Sequence, residues 1–186
     1  MLAAEKILVY FETASLQIDC TVPIFVAVNG AAVGIGVTLL PHADVVVCDP
    51  DAYFMLPFLR NAIVPEFAST QTLPRCVGPA MANDMLFTGR KLDAQEALHA
   101  GLVSRVSPSA QATQQALSLA CELAQQPLAG KSARIFRSMM RKHDRKELHA
   151  LVDWELQLLD ERLKSGDAAA AVMEWWAAKQ QGQGKL

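Results

Sequence analysis

A single carboxylate stands apart in the segment NAIVPEFASTQTLP, residues 61–74. Between Arg60 and Arg75, Glu66 is the only ionisable side chain, and its neighbours in the sequence are apolar or small and polar. Apolar surroundings raise the pKa of a carboxyl toward the value that a general base needs near neutral pH. Two interpretations stay open: Glu66 is a catalytic base in an apolar pocket, or it follows Pro65 as a solvated residue in the first turn of a helix.

A second candidate is the glycine-rich segment NGAAVGIGV, residues 29–37, which follows an apolar segment typical of a strand. It has neither the spacing of a dinucleotide-binding loop nor that of a phosphate-binding loop. Small residues at the start of a helix leave backbone N–H groups accessible, and such groups form half of an oxyanion hole. Tight packing of a helix on a sheet explains the same residues equally well.

The other reactive side chains form no recognisable site. Ser69, Thr70 and Thr72 lack a histidine and an acid at any motif spacing, which argues against a nucleophilic triad. The mixed-charge segment RSMMRKHDRKELH, residues 137–149, predicts a solvated helix face whose basic edge is a candidate contact for a phosphate. The four histidines are predicted to be surface or capping residues: His42, His99, His143 and His149. The four cysteines are predicted to be reduced, buried thiols that bind no metal: Cys20, Cys48, Cys76 and Cys121.

The composition is that of one globular domain. The chain has 186 residues, of which 52% are hydrophobic and 19% are charged. Its net charge of −2 comes from intermixed acids and bases, so neither a nucleic acid nor a membrane is expected as a partner. The N-terminal residues lack a basic region ahead of an apolar one, so secretion is not expected.

The elements that must hold these residues begin with a predicted helix over residues 2–18. Residues 22–28 predict a strand covered on both faces, and residues 31–43 predict a short buried helix. Residues 44–49 and 52–56 predict two further strands. This order indicates a right-handed βαβ unit with a parallel sheet, in which ligands bind at the carboxyl ends of the strands.

From Pro79 onward the chain predicts helices. Asp93 is a predicted N-cap, and Gly89 and Gly101 are predicted helix terminators. Further amphipathic helices are predicted over residues 78–89, 92–103, 109–126, 131–142, 144–164 and 167–181. The apolar segment EWWAAK near the end indicates a docking surface, which in an oligomer meets a neighbouring subunit.

Residues 20–108 resemble the crotonase superfamily of acyl-CoA enzymes. The resemblance rests on PIFVAVNGAAVGIGVTLLPHADVVVCDPDAYFMLPF followed by LPRCVGPAMANDMLFTGRKLDAQEALHAGLVSRV, in which the family's motifs appear in order. It implies an α/β fold with a crotonase-like ββα spiral core, incomplete at the N-terminus, in residues 1–108. Residues 109–186 are then expected to form a C-terminal helical region of the trimerisation type.

The resemblance also separates two branches of the family. Crotonase-type hydratases carry two catalytic glutamates, and the matching positions here hold Thr38 and Phe58. Because syn-hydration needs one group to activate water and another to deliver a proton, hydratase activity is not expected. The peroxisomal type of Δ3,Δ2-enoyl-CoA isomerase instead places one glutamate in a later PEG- or PEF-like segment, where this chain has Pro65 and Glu66.

The isomerase resemblance implies conversion of 3-enoyl-CoA to trans-2-enoyl-CoA in fatty acid β-oxidation. Glu66 would move the proton, and the N–H of Ile35 would match the family's second oxyanion donor. No metal or redox cofactor is implied, since coenzyme A is part of the substrate. The residues expected to bind the substrate are Ala32, Val33, Gly34, Leu56, Phe58 and Phe67.

The family's first oxyanion donor comes from an N-terminal region that this sequence is expected to lack. The alternative function is therefore a non-catalytic acyl-CoA binder or an assembly partner of a full-length relative, and another acyl-CoA lyase or hydrolase activity also stays open. A homo-oligomer is expected, either a trimer or a hexamer. The expected compartment is the cytoplasm if the source is prokaryotic, with the peroxisome second because the ending GKL only approaches a serine-lysine-leucine address.

Overall fold

The computed structural model describes residues 16–180, within which strands and helices alternate before a run of helices. Residues 16–19 are helical, and residues 2–15 of the predicted first helix lie outside the described range. The strands are β1 (Phe25–Val28), β2 (Ala31–Val33), β3 (Val45–Cys48), β4 (Tyr53–Met55), β5 (Leu92–Asp93) and β6 (Arg105–Val106). The helices are α1 (Ile35–Thr38), a 3-10 helix (Leu40–His42), α2 (Ser69–Val77), α3 (Pro79–Thr88), α4 (Ala94–Ala100), α5 (Ala112–Ala124), α6 (Pro127–Arg141), α7 (Arg145–Lys164) and α8 (Asp167–Gln180).

The first sheet has the order β1-β3-β6, and all three strands are parallel. Side chains of the central strand β3 alternate between two apolar layers, as the pleat requires. Val46 and Cys48 belong to the main core, whereas Val45 and Val47 pack with Ala112 of α5. The coverage predicted for the strand in residues 22–28 is confirmed for β1, since Val28 belongs to the main core and Ala27 packs with Ala112. The parallel pairing of β1 with β3 is confirmed as well.

Two predictions about this region were wrong in detail. Ala31–Val33 is a strand, because it pairs in parallel with β4, so the helix predicted over residues 31–43 begins only at Ile35. The predicted third strand, β4, does not join the first sheet. It lies between β2 and the antiparallel β5 in a second, smaller sheet.

A glycine makes the connection between β2 and α1. Gly34 has a φ of 57° and donates its N–H to the Met55 carbonyl at 2.9 Å. A residue with a Cβ is strained in this left-handed region, whereas glycine is not. The chain can therefore leave β2 and enter α1 at once, which brings the start of α1 beside the end of β4.

The remaining helices cover the sheets and extend beyond them. The predicted caps of α4 are confirmed, because Asp93 and Glu96 form a capping box and Gly89 and Gly101 end α3 and α4 in the left-handed conformation. α5 lies on the first sheet, where the buried Asp49 accepts the Ala112 N–H at 2.7 Å.

The division between residues 108 and 109 stays a prediction. No helix within residues 16–180 has the length and apolar character needed to cross a membrane.

The predicted solvated face of residues 137–149 was wrong at its first residue. Arg137 of α6 is 2% exposed and forms an ion pair with Asp44. It also donates to the carbonyls of Cys20 at 2.8 Å, Gln17 at 3.1 Å and His42 at 3.4 Å. A buried guanidinium needs several acceptors, and this contact set ties α6 to the segment that leads into β3.

Candidate active site

Glu66 lies in the loop between β4 and α2, and it is 8% exposed. α2 begins at Ser69 with Ala68 as its N-cap, so Glu66 precedes the helix. The interpretation of Glu66 as a solvated first-turn residue is therefore wrong on both counts. The sequence placed a lone carboxylate in an apolar segment, and the fold encloses it.

Enclosure changes the acidity of this group. The pKa of Glu66 is raised to about 7, mainly by burial; a hydrogen bond from Thr38 opposes the shift, and the negative charge of Glu155 contributes to it. A carboxyl with this pKa is partly ionised at neutral pH, and it can both accept and return a proton there. The side chain thus has the acidity of a reversible proton carrier.

α1 connects Glu66 with the predicted oxyanion donor. The Thr38 hydroxyl, in the last residue of α1, lies 3.4 Å from Glu66 Oε1. Ile35 begins the same helix, and its N–H reaches no hydrogen-bond acceptor among residues 16–180. Three residues of helix span about 4.5 Å along the axis, so the start of α1 is within about one helical turn of the carboxylate contact.

The chain directly after Glu66 is strained. Phe67 and Ala68 both lie in the left-handed region, with φ values of 67° and 56°. Such conformations cost non-glycine residues about 1 to 3 kcal/mol each, and they persist only where surrounding contacts hold them. Two buried side chains from other elements supply those contacts.

The first of these is Glu155 of α7, which sequence reasoning missed. Its side chain is 2% exposed and accepts from Ala68 N–H at 2.6 Å, Thr70 N–H at 3.2 Å and the Thr70 hydroxyl at 2.6 Å. Burial raises the pKa of Glu155, and these three bonds oppose the shift. Glu155 thus satisfies N–H groups at the start of α2 from a distant helix.

The second is His42, for which the surface or capping prediction was wrong. It is 1% exposed, and its Nε2 lies 2.8 Å from the Phe67 carbonyl. The rings of His42 and Phe67 meet edge to face, with centroids 5.2 Å apart. Burial lowers the pKa of His42 to about 4, so the ring is neutral at pH 7 and Nε2 carries the proton that it donates.

One sequence signal pointed to Glu155. On α7, the buried positions Leu148, Val152 and Leu159 follow helical spacing, and Glu155 falls in the same stripe. A carboxylate inside an apolar stripe is buried only with partners, so this position was readable as a hydrogen-bonded acid. His42 gave no comparable signal, because a histidine beside Pro41 is equally common on surfaces.

The predicted substrate-binding residues fall into two apolar clusters. Leu56, Phe58 and Ala32 are buried in the main core. Phe67 lies in a second cluster with Ile35 packed against it, which is the cluster beside Glu66. Val33 is 39% exposed and Gly34 forms the bend before α1, so these two are nearest to solvent. Their roles in binding stay predictions.

A surface cavity of about 160 Å³ is lined in part by Leu56. Glu66 and Ile35 do not line it, so it is not the space above the carboxylate. Its lining residues are Met55, Leu56, Pro57, Leu59, Arg60, Phe87, Thr88 and Gly89. Within residues 16–180, no three acidic, histidine or cysteine side chains converge as metal ligands would.

Known proteins share this chain's sequence and architecture. Enoyl-CoA delta isomerase 2 of Homo sapiens is 36% identical over 162 residues, which are 87% of this chain and 41% of that protein. Carnitinyl-CoA dehydratase of Citrobacter koseri is 46% identical over 109 residues, which are 58% of this chain and 40% of that protein. A crystal structure of an enoyl-CoA hydratase/isomerase from Pseudoalteromonas atlantica T6c matches with a TM-score of 0.83 at 36% identity, covering 91% of this chain and 66% of that one.

This chain spans about two fifths of the length of the two curated relatives. The match to the solved structure confirms the predicted α/β, crotonase-like fold class. The sequence model of the enoyl-CoA hydratase/isomerase family matches residues 7–181. Since that match covers nearly the whole sequence, the chain belongs to the enoyl-CoA hydratase/isomerase family of the crotonase superfamily.

Proposed function

We propose that the chain isomerises 3-enoyl-CoA to trans-2-enoyl-CoA, with Glu66 as its single proton-shuttling base. The observation that carries the proposal is one buried carboxylate whose pKa is about 7, in contact with the last residue of the short helix α1 that Ile35 begins. The similarity to enoyl-CoA delta isomerase 2 supports the same reaction class.

The proposed reaction needs one base and one electrophilic site. The Glu66 carboxylate removes a proton from the carbon next to the thioester, and the electron pair moves onto the thioester oxygen as a dienolate. The protonated Glu66 then returns the proton to the γ-carbon, which leaves the double bond between the α- and β-carbons. The Ile35 N–H stabilises the oxyanion, and such a donor contributes roughly 3 kcal/mol.

Hydration is disfavoured because, among residues 16–180, no second acid free of other hydrogen bonds lies beside Glu66. Thr38 and Phe58 occupy the positions where the hydratase resemblance expects glutamates. The negative charge of Glu155 contributes to the raised pKa of Glu66, but its two oxygens already accept three hydrogen bonds. One free carboxylate suits a reaction that returns the proton it removes.

The substrate is proposed to lie with its thioester over the segment Ala32–Gly34 and the N–H of Ile35. Its acyl chain would contact the apolar side chains Leu56, Phe58 and Phe67. Phe67 follows Glu66 directly, so a chain that packs on this ring would pass the carboxylate. This arrangement uses acyl-CoA as the substrate and involves no metal or redox step.

Glu66→Gln is expected to lower turnover of a 3-enoyl-CoA at least ~1,000-fold, because the amide cannot accept the α-proton. The measurement follows the rise of the conjugated 2-enoyl thioester, with product identity checked by mass spectrometry. Glu161→Gln on the exposed face of α7 serves as the matched control and should keep wild-type turnover.

Three other outcomes separate the competing functions. Equal turnover in wild type and Glu66→Gln would remove Glu66 as the base. Water addition or loss as the main reaction would favour a hydratase or a dehydratase, as in the carnitinyl-CoA dehydratase relative. Coenzyme A binding without turnover would favour the acyl-CoA binder or assembly partner.

A homo-oligomer, either a trimer or a hexamer, is proposed from the apolar faces of the last three helices. Ile135, Phe136 and Met140 of α6 are 59%, 62% and 74% exposed, and Trp176 of α8 is 54% exposed. Apolar surface of this extent on a folded chain usually marks an association surface. Light scattering coupled to size exclusion is expected to give a mass three or six times that of the chain, and a monomer would contradict the proposal.

A further inference from the structure

The turn that follows Glu66 is held from two sides by side chains that lie far away in the sequence. Phe67 and Ala68 take left-handed backbone conformations that their side chains disfavour. Glu155 accepts the N–H groups of Ala68 and Thr70 and the Thr70 hydroxyl. His42 holds the Phe67 carbonyl on the other side.

Glu155 sits where packing alone would favour an apolar residue. It lies in the stripe formed by Leu148, Val152 and Leu159 on α7. Burying a carboxylate is costly, and an apolar side chain of similar volume is often as stable or more stable. The hydrogen bonds of Glu155 go to the strained residue Ala68 and to Thr70 in the first turn of α2, so this buried charge serves the junction between the turn and the helix.

From these contacts we propose that Glu155 is a positioning residue for Glu66. It does not touch the substrate but fixes the backbone from Phe67 to Thr70, and so it sets where the Glu66 carboxylate points. The inference rests on the proposed isomerase function, because Glu66 is the base only in that reaction. It adds a residue of the C-terminal helices to the working parts of the site.

The groups facing Glu66 can be named element by element. α1 presents the uncharged Thr38. The 3-10 helix places His42, which is neutral at pH 7, against the carbonyl of the adjacent Phe67. Arg137 and Arg141 of α6 lie close enough to His42 to lower its pKa. α7 presents Glu155, whose charge adds to the raised pKa of Glu66.

Two substitutions separate the shape of Glu155 from its charge. Glu155→Gln keeps an oxygen that can accept one of the backbone N–H groups, whereas Glu155→Met fills the same space and accepts none. If Glu155 positions the base, kcat should fall about 10-fold in Glu155→Gln and about 100-fold in Glu155→Met, with KM changed less than about threefold. Glu161→Gln, exposed on the same helix, should leave both constants at wild-type values.

A readout without turnover comes from the carboxyl carbon of Glu66, labelled with carbon-13 and assigned with Glu66→Gln. In Glu155→Gln the loss of the facing charge should lower the apparent pKa of Glu66. In Glu155→Met the released turn should let water reach the carboxyl and lower that pKa further, toward 4.5, its ordinary value. Circular dichroism checks that both variants fold. If Glu155→Met does not fold, the results for Glu155→Gln decide.

Either readout can overturn the inference. Wild-type kcat in both Glu155 variants, together with an inactive Glu66→Gln, would keep the isomerase function and remove the positioning role. Equal titration of Glu66 in the two variants would show that Glu155 acts by charge alone. If no turnover occurs at all, the proposed function fails while the titration still decides whether Glu155 places the carboxyl.

Discussion

Glu66→Gln is expected to gain stability over wild type as the pH rises. The difference in free energy of unfolding, variant minus wild type, should be about 3 kcal/mol larger at pH 8 than at pH 4.5. The folded-state pKa of this carboxyl is raised from 4.5 to about 7 by burial. Between these values the unfolded chain has lost the proton and the folded chain has kept it. Wild-type stability therefore falls as the pH rises through this window, whereas glutamine has no proton to lose.

His42 should make stability depend on pH in the opposite direction, and this dependence becomes visible in Glu66→Gln. Burial lowers its pKa from 6.5 to about 4, so below pH 6.5 the unfolded chain binds a proton that the folded chain refuses. This contribution to stability is lost as the pH falls, and between pH 4.5 and 6.5 it offsets the Glu66 contribution in wild type. Glu66→Gln should then lose stability more steeply than wild type on acidification.

Urea unfolding at several pH values between 4.5 and 8 measures both effects. Glu174→Gln, an exposed glutamate of α8, provides the control and should follow the wild-type curve. Parallel stability curves for wild type and Glu66→Gln would mean that the carboxyl at residue 66 titrates alike in both states. Such a result would also remove the acidity on which the proposed proton transfer depends.

Arg137→Met is expected to lower the free energy of unfolding by about 3 to 5 kcal/mol. The guanidinium is 2% exposed and forms the ion pair with Asp44, whose side chain is 20% exposed. Its loss would leave the carbonyls of Cys20 and Gln17 without this donor. Asp44 would keep the hydrogen bond from the Ile24 N–H but lose its charged partner. Removing one member of a buried pair costs far more than the pair itself contributes, because the other charge stays enclosed.

Arg134→Met on the same helix is the matched control. Arg134 is exposed, so the same chemical change should alter stability by no more than about 0.5 kcal/mol. Adding Asp44→Asn to Arg137→Met should recover part of the loss, since it removes the stranded charge. A small effect of Arg137→Met in urea unfolding, comparable with that of the control, would contradict the structural role given to Arg137.

The sequence contained most of what local chemistry decides. Runs of β-branched residues marked β1 and β3, and Asp93 with Gly101 marked both ends of α4. The isolation of Glu66 among apolar residues pointed to an enclosed carboxylate. These features depend on neighbours within a few residues, which is the range over which periodicity and capping act.

The rest depends on which distant segments pack together. Glu155 meets Ala68 across 87 positions, and Arg137 meets Asp44 across 93. The apolar stripe of α7 marks Glu155 as a buried acid, but no local pattern identifies the distant groups to which it bonds. The short strand β2 was missed for a related reason, since only its pairing with β4 distinguishes it from the start of a helix.

The contact between α7 and the turn after Glu66 also orders the folding of the site. The Ala68 and Thr70 N–H groups donate to the Glu155 carboxylate of α7. They therefore exchange with solvent hydrogen only when α7 detaches or the whole chain unfolds. Their exchange rates in deuterium oxide therefore measure how often α7 opens. Because Glu155 must dock before these amides are satisfied, the candidate site is completed only after the chain has folded through α7.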